Sequence, residues 1–155
     1  MRREPAVRQV DLLGLYEPVG PVGRPGAQGN VQECGIHSAG DLAKSDRFGH
    51  VLETFVVGEL RKMSGWSKLV TGAYHFRTEK AREVDIVLEN PAGRVVGIEV
   101  KASASIGSDD LIGLKQLREI CGSKWVRGIV LHSGPGITGF DKDLHAVPMS
   151  ALWSW

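Results

Sequence analysis

Apolar and polar residues alternate along two neighbouring runs of the chain, 82–88 and 95–101. A period of two predicts two β-strands, each with one apolar row and one polar row of side chains. The polar rows carry Asp85 on the first strand and Glu99 and Lys101 on the second. The apolar rows are Val84, Ile86 and Leu88, and Val96, Ile98 and Val100. The pattern therefore predicts that an Asp, a Glu and a Lys share one face of a sheet.

The residues that join these strands, Asn-Pro-Ala-Gly at 90–93, suit a type I turn closed by a left-handed glycine. A hairpin with this turn pairs Asn90 with Arg94, and the two apolar rows then coincide. The register so predicted pairs Leu88 with Val96, Ile86 with Ile98, Asp85 with Glu99, and Glu83 with Lys101.

Two carboxylates placed directly across a ladder have Cβ atoms roughly 5 Å apart, and their like charges destabilise the sheet. A hard divalent cation such as Mg²⁺ would offset this repulsion, since it favours one or two carboxylates and keeps several waters. Lys101, two residues after Glu99, could then orient or activate a water or hold a phosphate. The alternative is a solvated face on which Lys101 and Arg82 neutralise Asp85 and Glu99.

A helical period precedes the hairpin and predicts a helix that begins after Ser45 or Asp46 and ends near Gly65. The apolar residues that recur at spacings of three and four are Phe48, Val51, Leu52, Phe55, Val56, Leu60 and Met63. Glu53 lies on the flank of this apolar stripe. It is either a solvated glutamate or, if the helix packs with that flank toward Asp85, a third acid of the same site.

The remaining patterns complete an α/β order of helix, three strands, helix and strand. The run 73–77 predicts the first strand, on which Arg77 is either a salt-bridge partner or a phosphate contact. A small-residue loop after Lys101 leads to a helix with Asp109 and Asp110 in its first turn. The run 125–131 is a buried strand and 145–149 a short edge strand, a position compatible with its proline.

Composition sets limits on the function. The chain has 155 residues and 42% apolar content, which suits one domain, and a net charge of +1, which implies no bulk attraction to nucleic acid or membrane. No apolar run approaches the about 20 residues of a membrane span, and no secretory signal opens the chain, so we expect a cytoplasmic protein without a membrane partner. Residues 1–45, rich in Pro and Gly, are expected to be flexible or poorly structured, with the folded domain at 46–155.

The ordered set of motifs resembles the PD-(D/E)xK nuclease superfamily, which carries a Glu on its first helix, an Asp on its second strand and a Glu-x-Lys on its third. A closer resemblance is to the domain of unknown function 4143, which follows an AAA+ type ATPase module in many proteins. The likeness rests on residues 49–56, 82–85, 97–103 and 146–153, and covers roughly residues 46–155.

The resemblance implies a restriction-endonuclease-like α-β-β-β-α-β core with a mixed sheet flanked by helices. It implies Asp85, Glu99 and Glu53 as ligands of Mg²⁺ or Mn²⁺, and Lys101, Glu99 and Asp85 as catalytic residues of a phosphodiesterase acting on nucleic acid, with DNA the expected form. The expected substrate contacts are Arg77, Ser103 and Gln116.

The chain lacks the ATPase module that usually accompanies such a domain, so we expect that module to be encoded separately or lost and the chain to be truncated. Two hypotheses follow. The domain is a metal-dependent nuclease, or it is a catalytically silent remnant or a regulatory, nucleic-acid-binding module of such an ATPase.

Overall fold

The computed structural model describes residues 48–68, 71–78 and 82–154. The predicted order of helix, three strands, helix and strand is confirmed, and two further strands follow it. The elements are α1 (Phe48–Trp66), β1 (Gly72–Arg77), β2 (Glu83–Glu89), β3 (Val95–Lys101), α2 (Ile112–Cys121), β4 (Trp125–His132), β5 (Thr138–Asp141) and β6 (Leu144–Pro148). Short 3₁₀ turns lie at Ser108–Leu111, Gly122–Lys124 and Met149–Trp153.

All six strands form one mixed sheet in the order β1-β2-β3-β4-β6-β5. The pairs β1–β2, β2–β3 and β5–β6 are antiparallel, whereas β3–β4 and β4–β6 are parallel. The three parallel strands end together, because Lys101 pairs with His132 and His132 with Pro148. The prediction that 145–149 forms an edge strand is wrong, since β5 pairs outside β6; Pro148 is tolerated because it is the last residue of its strand.

Each face of the sheet is covered by one helix, which gives three layers. One core packs α1 against the sheet and is built from Val56, Ile86, Ile98, Val100 and Leu131, with Leu52, Val57 and Leu60 beside them. The other packs α2 against the opposite face and is built mainly from Phe76, Val84, Val87, Val95, Leu111, Leu114, Leu117, Val130 and Leu144. The α/β class with a mixed sheet flanked by helices is therefore confirmed.

Strand β2 contains an irregularity that the alternation of its residues does not show. Tyr74 pairs with Val87 but Phe76 pairs with Val84. A two-residue step along β1 thus matches a three-residue step along β2, so β2 contains one extra residue here. Such a β-bulge reverses the faces of the residues beyond it. The prediction that Val84 shares a row with Ile86 is wrong for this reason, because Val84 faces α2 whereas Ile86 faces α1.

Residues 1–47 lie outside the described part of the chain, and with them the predicted N-caps Ser45 and Asp46 and the segment 1–45. Helix α1 ends at Trp66, one residue beyond the predicted stop at Gly65. Among the helices of the described residues, none has the length and apolar character needed to cross a membrane.

Candidate active site

Asp85 lies in the bulge of β2, and its side chain bonds to the neighbouring strand. Its Oδ2 accepts a 2.8 Å hydrogen bond from the backbone N–H of Val100 on β3. The β2–β3 backbone ladder ends at Ile86 and Ile98, which confirms two predicted pairs, Ile86–Ile98 and Leu88–Val96. The predicted pairs Asp85–Glu99 and Glu83–Lys101 are not part of the ladder. The carboxylate of Asp85 takes the place of a backbone acceptor there.

Glu99 occupies the α2-facing row of β3, and its side chain is only 8% exposed. Burial, the negative charge of Asp85 and a hydrogen bond to Asp85 together raise the pKa of Glu99 to about 9, against the opposing effect of Lys101. Glu99 and Asp85 are thus in side-chain contact although they are not backbone partners. Near neutral pH Glu99 holds a proton, which removes the repulsion between the two carboxylates.

Helix α2 approaches Glu99 closely because Gly113 has no side chain. A Cβ at Gly113 would clash with the carbonyl oxygen of Glu83 and lie 3.0 Å from Oε1 of Glu99. Helix and strands could not pack at this distance with any larger residue. The missing side chain lets α2 close the pocket that buries Glu99.

Lys101, the last residue of β3, lies between two acids. Its Nζ is 3.9 Å from Oε2 of Glu99 and 4.0 Å from Oδ1 of Asp110, and its side chain is 38% exposed. Asp110 is held in turn by its Oδ2, which accepts a 2.9 Å hydrogen bond from the N–H of Gly107. The ammonium group therefore lies beside both acids and stays partly open to solvent.

Glu53 approaches the same site from α1. Partial burial and the charge of Asp85 raise the pKa of Glu53, whereas His50 and Lys101 lower it. Nδ1 of His50 lies 3.6 Å from the Glu53 carboxylate. Glu53 is near enough to Asp85 to feel its charge, and its role as a third acid of the site stays a prediction.

The three predicted substrate contacts have different surroundings. Arg77 forms a 2.8 Å ion pair with Glu83 across β1 and β2, which is the salt-bridge alternative considered for it. The Ser103 hydroxyl donates to the carbonyl of Ser105 and accepts from its N–H, so it closes a local turn. Gln116 is half-buried on α2, three residues after Gly113 and so on the neighbouring helix surface.

Two acids of this site can act as hard oxygen ligands, with a third beside them. Within the described ranges, no three side chains of the His, Cys, Asp and Glu types form a metal-binding group. Mg²⁺ nonetheless needs only one or two carboxylates, because waters and substrate phosphates complete its shell. The contact between Asp85 and Glu99, with its raised pKa for Glu99, is the arrangement that a divalent charge would relieve.

Sequence reasoning did not find Gly113 or Asp110 as parts of this site. The sequence places Asp110 only in the first turn of a helix, and its nearness to Lys101 depends on how the loop 102–107 folds back. Neither residue belongs to a motif, and no spacing in the sequence relates them to Glu99.

Comparisons with known proteins give one match. Residues 48–152 match the family described as a domain of unknown function, DUF4143. No curated protein matches the chain, and no solved structure matches it.

Proposed function

The chain belongs to the DUF4143 family, and from its carboxylate and lysine side chains we propose that it is a metal-dependent phosphodiesterase that cleaves nucleic acid. The observation that carries the proposal is the contact of the buried Glu99 with the half-buried Asp85, beside Lys101. Burying a carboxyl group beside a second carboxylate is costly, and groups with strongly perturbed pKa values concentrate at functional sites.

Asp85 and Glu99 would hold Mg²⁺ or Mn²⁺, and Glu53 from α1 would add negative charge beside them without being a direct ligand. Asp85 is suited to this because the N–H of Val100 occupies only Oδ2, which fixes the carboxylate and leaves Oδ1 without that bond. When bound, the ion supplies Lewis-acid stabilisation of negative charge on phosphate oxygens.

Lys101 would orient the attacking water and donate hydrogen bonds to the negative charge that develops on the phosphate. It can do so because its ammonium group is partly exposed and stays about 4 Å from both Glu99 and Asp110. The two carboxylates therefore attract the ammonium group from two sides, and neither forms a short ion pair that would prevent it from binding a phosphate.

The substrate class follows from this chemistry. A phosphodiester needs a cation at its non-bridging oxygens, and Lys101 provides one beside the acids. Arg77, exposed on the edge strand β1, is a further cation. It could leave its ion pair with Glu83 and bind a phosphate of the substrate instead. We propose DNA as the first substrate class to test, followed by RNA.

The test is a cleavage assay with supercoiled, linear and single-stranded DNA and with RNA, in Mg²⁺, Mn²⁺ or EDTA. We expect divalent-dependent cleavage that Asp85→Ala and Glu99→Gln abolish and that Lys101→Ala lowers by roughly 10²- to 10⁴-fold. Lys142→Ala is the matched control, because Lys142 lies in the exposed turn between β5 and β6. Cleavage that survives EDTA or is equal in Asp85→Ala would exclude this site as its source.

A second candidate function is a non-catalytic module that docks onto an AAA+ type ATPase module. It is favoured by exposed apolar side chains along α1 and the C-terminal turn, of which Trp66 is 85% exposed. The others are Val51, Phe55 and Trp153, and the rings of Phe55 and Trp153 lie 5.7 Å apart. Apolar patches of this kind mark interaction surfaces.

The two candidates differ in their response to substitution. If docking is the function, Trp66→Ser weakens binding to a purified ATPase module from the same genome, and Asp85→Ala leaves that binding unchanged. If hydrolysis is the function, Asp85→Ala abolishes cleavage and Trp66→Ser does not affect it.

A further inference from the structure

His132 is the last residue of β4 and pairs with Lys101 at the end of β3. It is only 4% exposed, and both of its ring nitrogens form hydrogen bonds. Nδ1 accepts from the N–H of Gly134 at 3.0 Å, so the ring proton lies on Nε2, which donates to the carbonyl of Gly136 at 3.1 Å. The imidazole ring thereby shapes the loop that follows it, residues 133–136, here called the clamp loop.

The clamp loop binds the chain that leaves β3 after Lys101. The hydroxyl of Ser133 donates a 2.7 Å hydrogen bond to the carbonyl of Ala102. The N–H of Ser133 donates to the carbonyl of Ser103 at 3.3 Å. Both carbonyls belong to exposed residues, so these two bonds continue the contact between β3 and β4 beyond the sheet.

Gly134 allows the two segments to approach. A Cβ at this position would lie 2.6 Å from the carbonyl oxygen of Ala104 and 2.8 Å from Nδ1 of His132. Gly136, two residues further, would place a Cβ in open space. One glycine of the clamp loop is therefore required for the contact, and the other is not.

Within itself, the segment 102–105 is held by the two hydrogen bonds between Ser103 and Ser105. Its residues, Ala-Ser-Ala-Ser, are all exposed and carry no large apolar side chain. A loop of this kind gains too little from burial to offset its conformational entropy. The local bonds of Ser103 close its turn but do not attach it to the sheet, so the direction in which the chain leaves Lys101 depends on the hydrogen bonds from Ser133.

We propose that the clamp loop positions Lys101 and that His132 is the positioning residue on which the clamp loop depends. The inference rests on the proposed function in so far as Lys101 acts in catalysis. His132 does not touch the substrate. It acts through Ser133 and Gly134 on the segment 102–105, and this segment fixes the end of β3 that carries Lys101.

The central experiment compares Gly134→Ala with Gly136→Ala in the whole chain. Gly134→Ala forces the clamp loop away from Ala104, whereas Gly136→Ala adds the same methyl group without a contact. We expect Gly134→Ala to lower kcat roughly 10- to 100-fold, as for a displaced catalytic group, and Gly136→Ala to leave it unchanged. Ser133→Ala is the second variant, to be used if Gly134→Ala does not fold. Ser133 is exposed, and its substitution removes the hydrogen bond to the carbonyl of Ala102, so kcat should again be lower than in the wild type.

Substitutions of His132 separate its packing from its hydrogen bond. Asn places an acceptor where Nδ1 lies and can keep the bond to Gly134, whereas Leu fills similar space without an acceptor. We expect His132→Asn to restore most of the kcat that His132→Leu loses. His145→Leu on β6 is the control for removing a half-buried histidine that has no bond to the clamp loop.

Two measurements test the positioning of Lys101 and do not require the protein to cleave a substrate. The first is the ¹³C NMR signal of reductively methylated Lys101, identified by its loss in Lys101→Arg. The second is amide exchange at Ser133. Gly134→Ala and His132→Leu should shift the Lys101 signal and speed exchange roughly tenfold, and the controls should change neither.

If the wild-type protein cleaves no nucleic acid, the proposed function fails, and a shifted Lys101 signal with faster exchange at Ser133 still supports the positioning role. A Lys101 signal that is the same in Gly134→Ala, His132→Leu and the wild type overturns the role, as does a kcat unchanged in both variants.

Discussion

The N–H of Val100 donates a 2.8 Å hydrogen bond to Oδ2 of Asp85, at the point where the β2–β3 ladder stops. The carboxylate thus completes the sheet and at the same time contacts Glu99. One residue has both a structural and a candidate catalytic role, and suitable substitutions should separate the two.

Asp85→Asn and Asp85→Ala should differ in stability but not in activity. Both remove the negative charge and are expected to abolish divalent-dependent cleavage. Asn can still offer an oxygen to the N–H of Val100, whereas Ala leaves that donor without its partner, at a cost of about 1 kcal/mol. Urea unfolding of the two variants measures this difference. Equal unfolding free energies would show that the hydrogen bond contributes nothing to stability.

The stability of the protein should fall as pH rises from about 5 to about 9, because of Glu99. Its pKa is raised from the ordinary 4.5 to about 9 in the folded chain, so the folded state holds a proton that the unfolded state releases over this range. The contribution of Glu99 to the free energy of unfolding is complete below its ordinary pKa of 4.5, and it is lost as pH rises through the pKa of about 9 in the folded state.

Glu99→Gln carries a neutral amide and should lack this pH dependence. Its melting temperature is expected to match the wild type near pH 4 and to exceed it increasingly toward pH 9. Glu119→Gln on the exposed face of α2 is the control and should follow the wild type. If the difference in melting temperature between Glu99→Gln and the wild type does not change with pH, the raised pKa of Glu99 is contradicted.

Gly113→Ala should destabilise the fold, because the added methyl group clashes with the backbone carbonyl of Glu83 and crowds the side chain of Glu99. Overpacking of this kind costs about 1–3 kcal/mol. Gly58→Ala on α1 is the matched control: its Cβ meets nothing within 4 Å, and the substitution should stabilise the helix by about 1 kcal/mol. Denaturant unfolding gives both values, and a Gly113→Ala protein as stable as the wild type would refute the close packing of α2.

Arg118 links α2 to the turn between β5 and β6. One of its nitrogens, Nη1, donates to Asp141 and to Asp143, each at 2.8 Å. The hydrogen bond from Arg118 is the main cause that lowers the pKa of Asp141. In Arg118→Ala we expect NMR titration to show that the pKa of Asp141 has risen, with Arg127→Ala, at an exposed position on β4, as the control.

The hairpin of β2 and β3 was predictable as far as its turn determined it. Asn90 Oδ1 accepts from the N–H groups of Ala92 and Arg94, and Gly93 has a φ of 72°, as that turn chemistry requires. Such local interactions can be predicted from the sequence because they join residues that are close together in the chain. The bulge at Asp85 was not predictable from β2, because it is a mismatch between β2 and β1, and alternation within one strand carries no record of it.

The acids and the lysine of the site could be named from their motif spacing and from the resemblance to known families. The nearness of Asp85 to Glu99 was also predicted, although through a backbone pairing that the ladder does not contain, whereas the surroundings of Lys101 could not be predicted. Asp110 reaches Lys101 only because the loop 102–107 turns back. His132 lies thirty-one residues after Lys101 and becomes its neighbour through the parallel pairing of β3 and β4.

By itself the sequence determined the period of each element, the turn of the hairpin and the identity of Asp85, Glu99 and Lys101. These depend on contacts between residues close in the chain, which hydrophobic spacing and turn residues record directly. The tertiary structure decided that Val84 changes face, that Glu99 is buried with a raised pKa and that the clamp loop holds the chain after Lys101. Those features arise from strand pairing and from the close approach of α2 at Gly113, and the free energy of such contacts depends on residues far apart in the sequence.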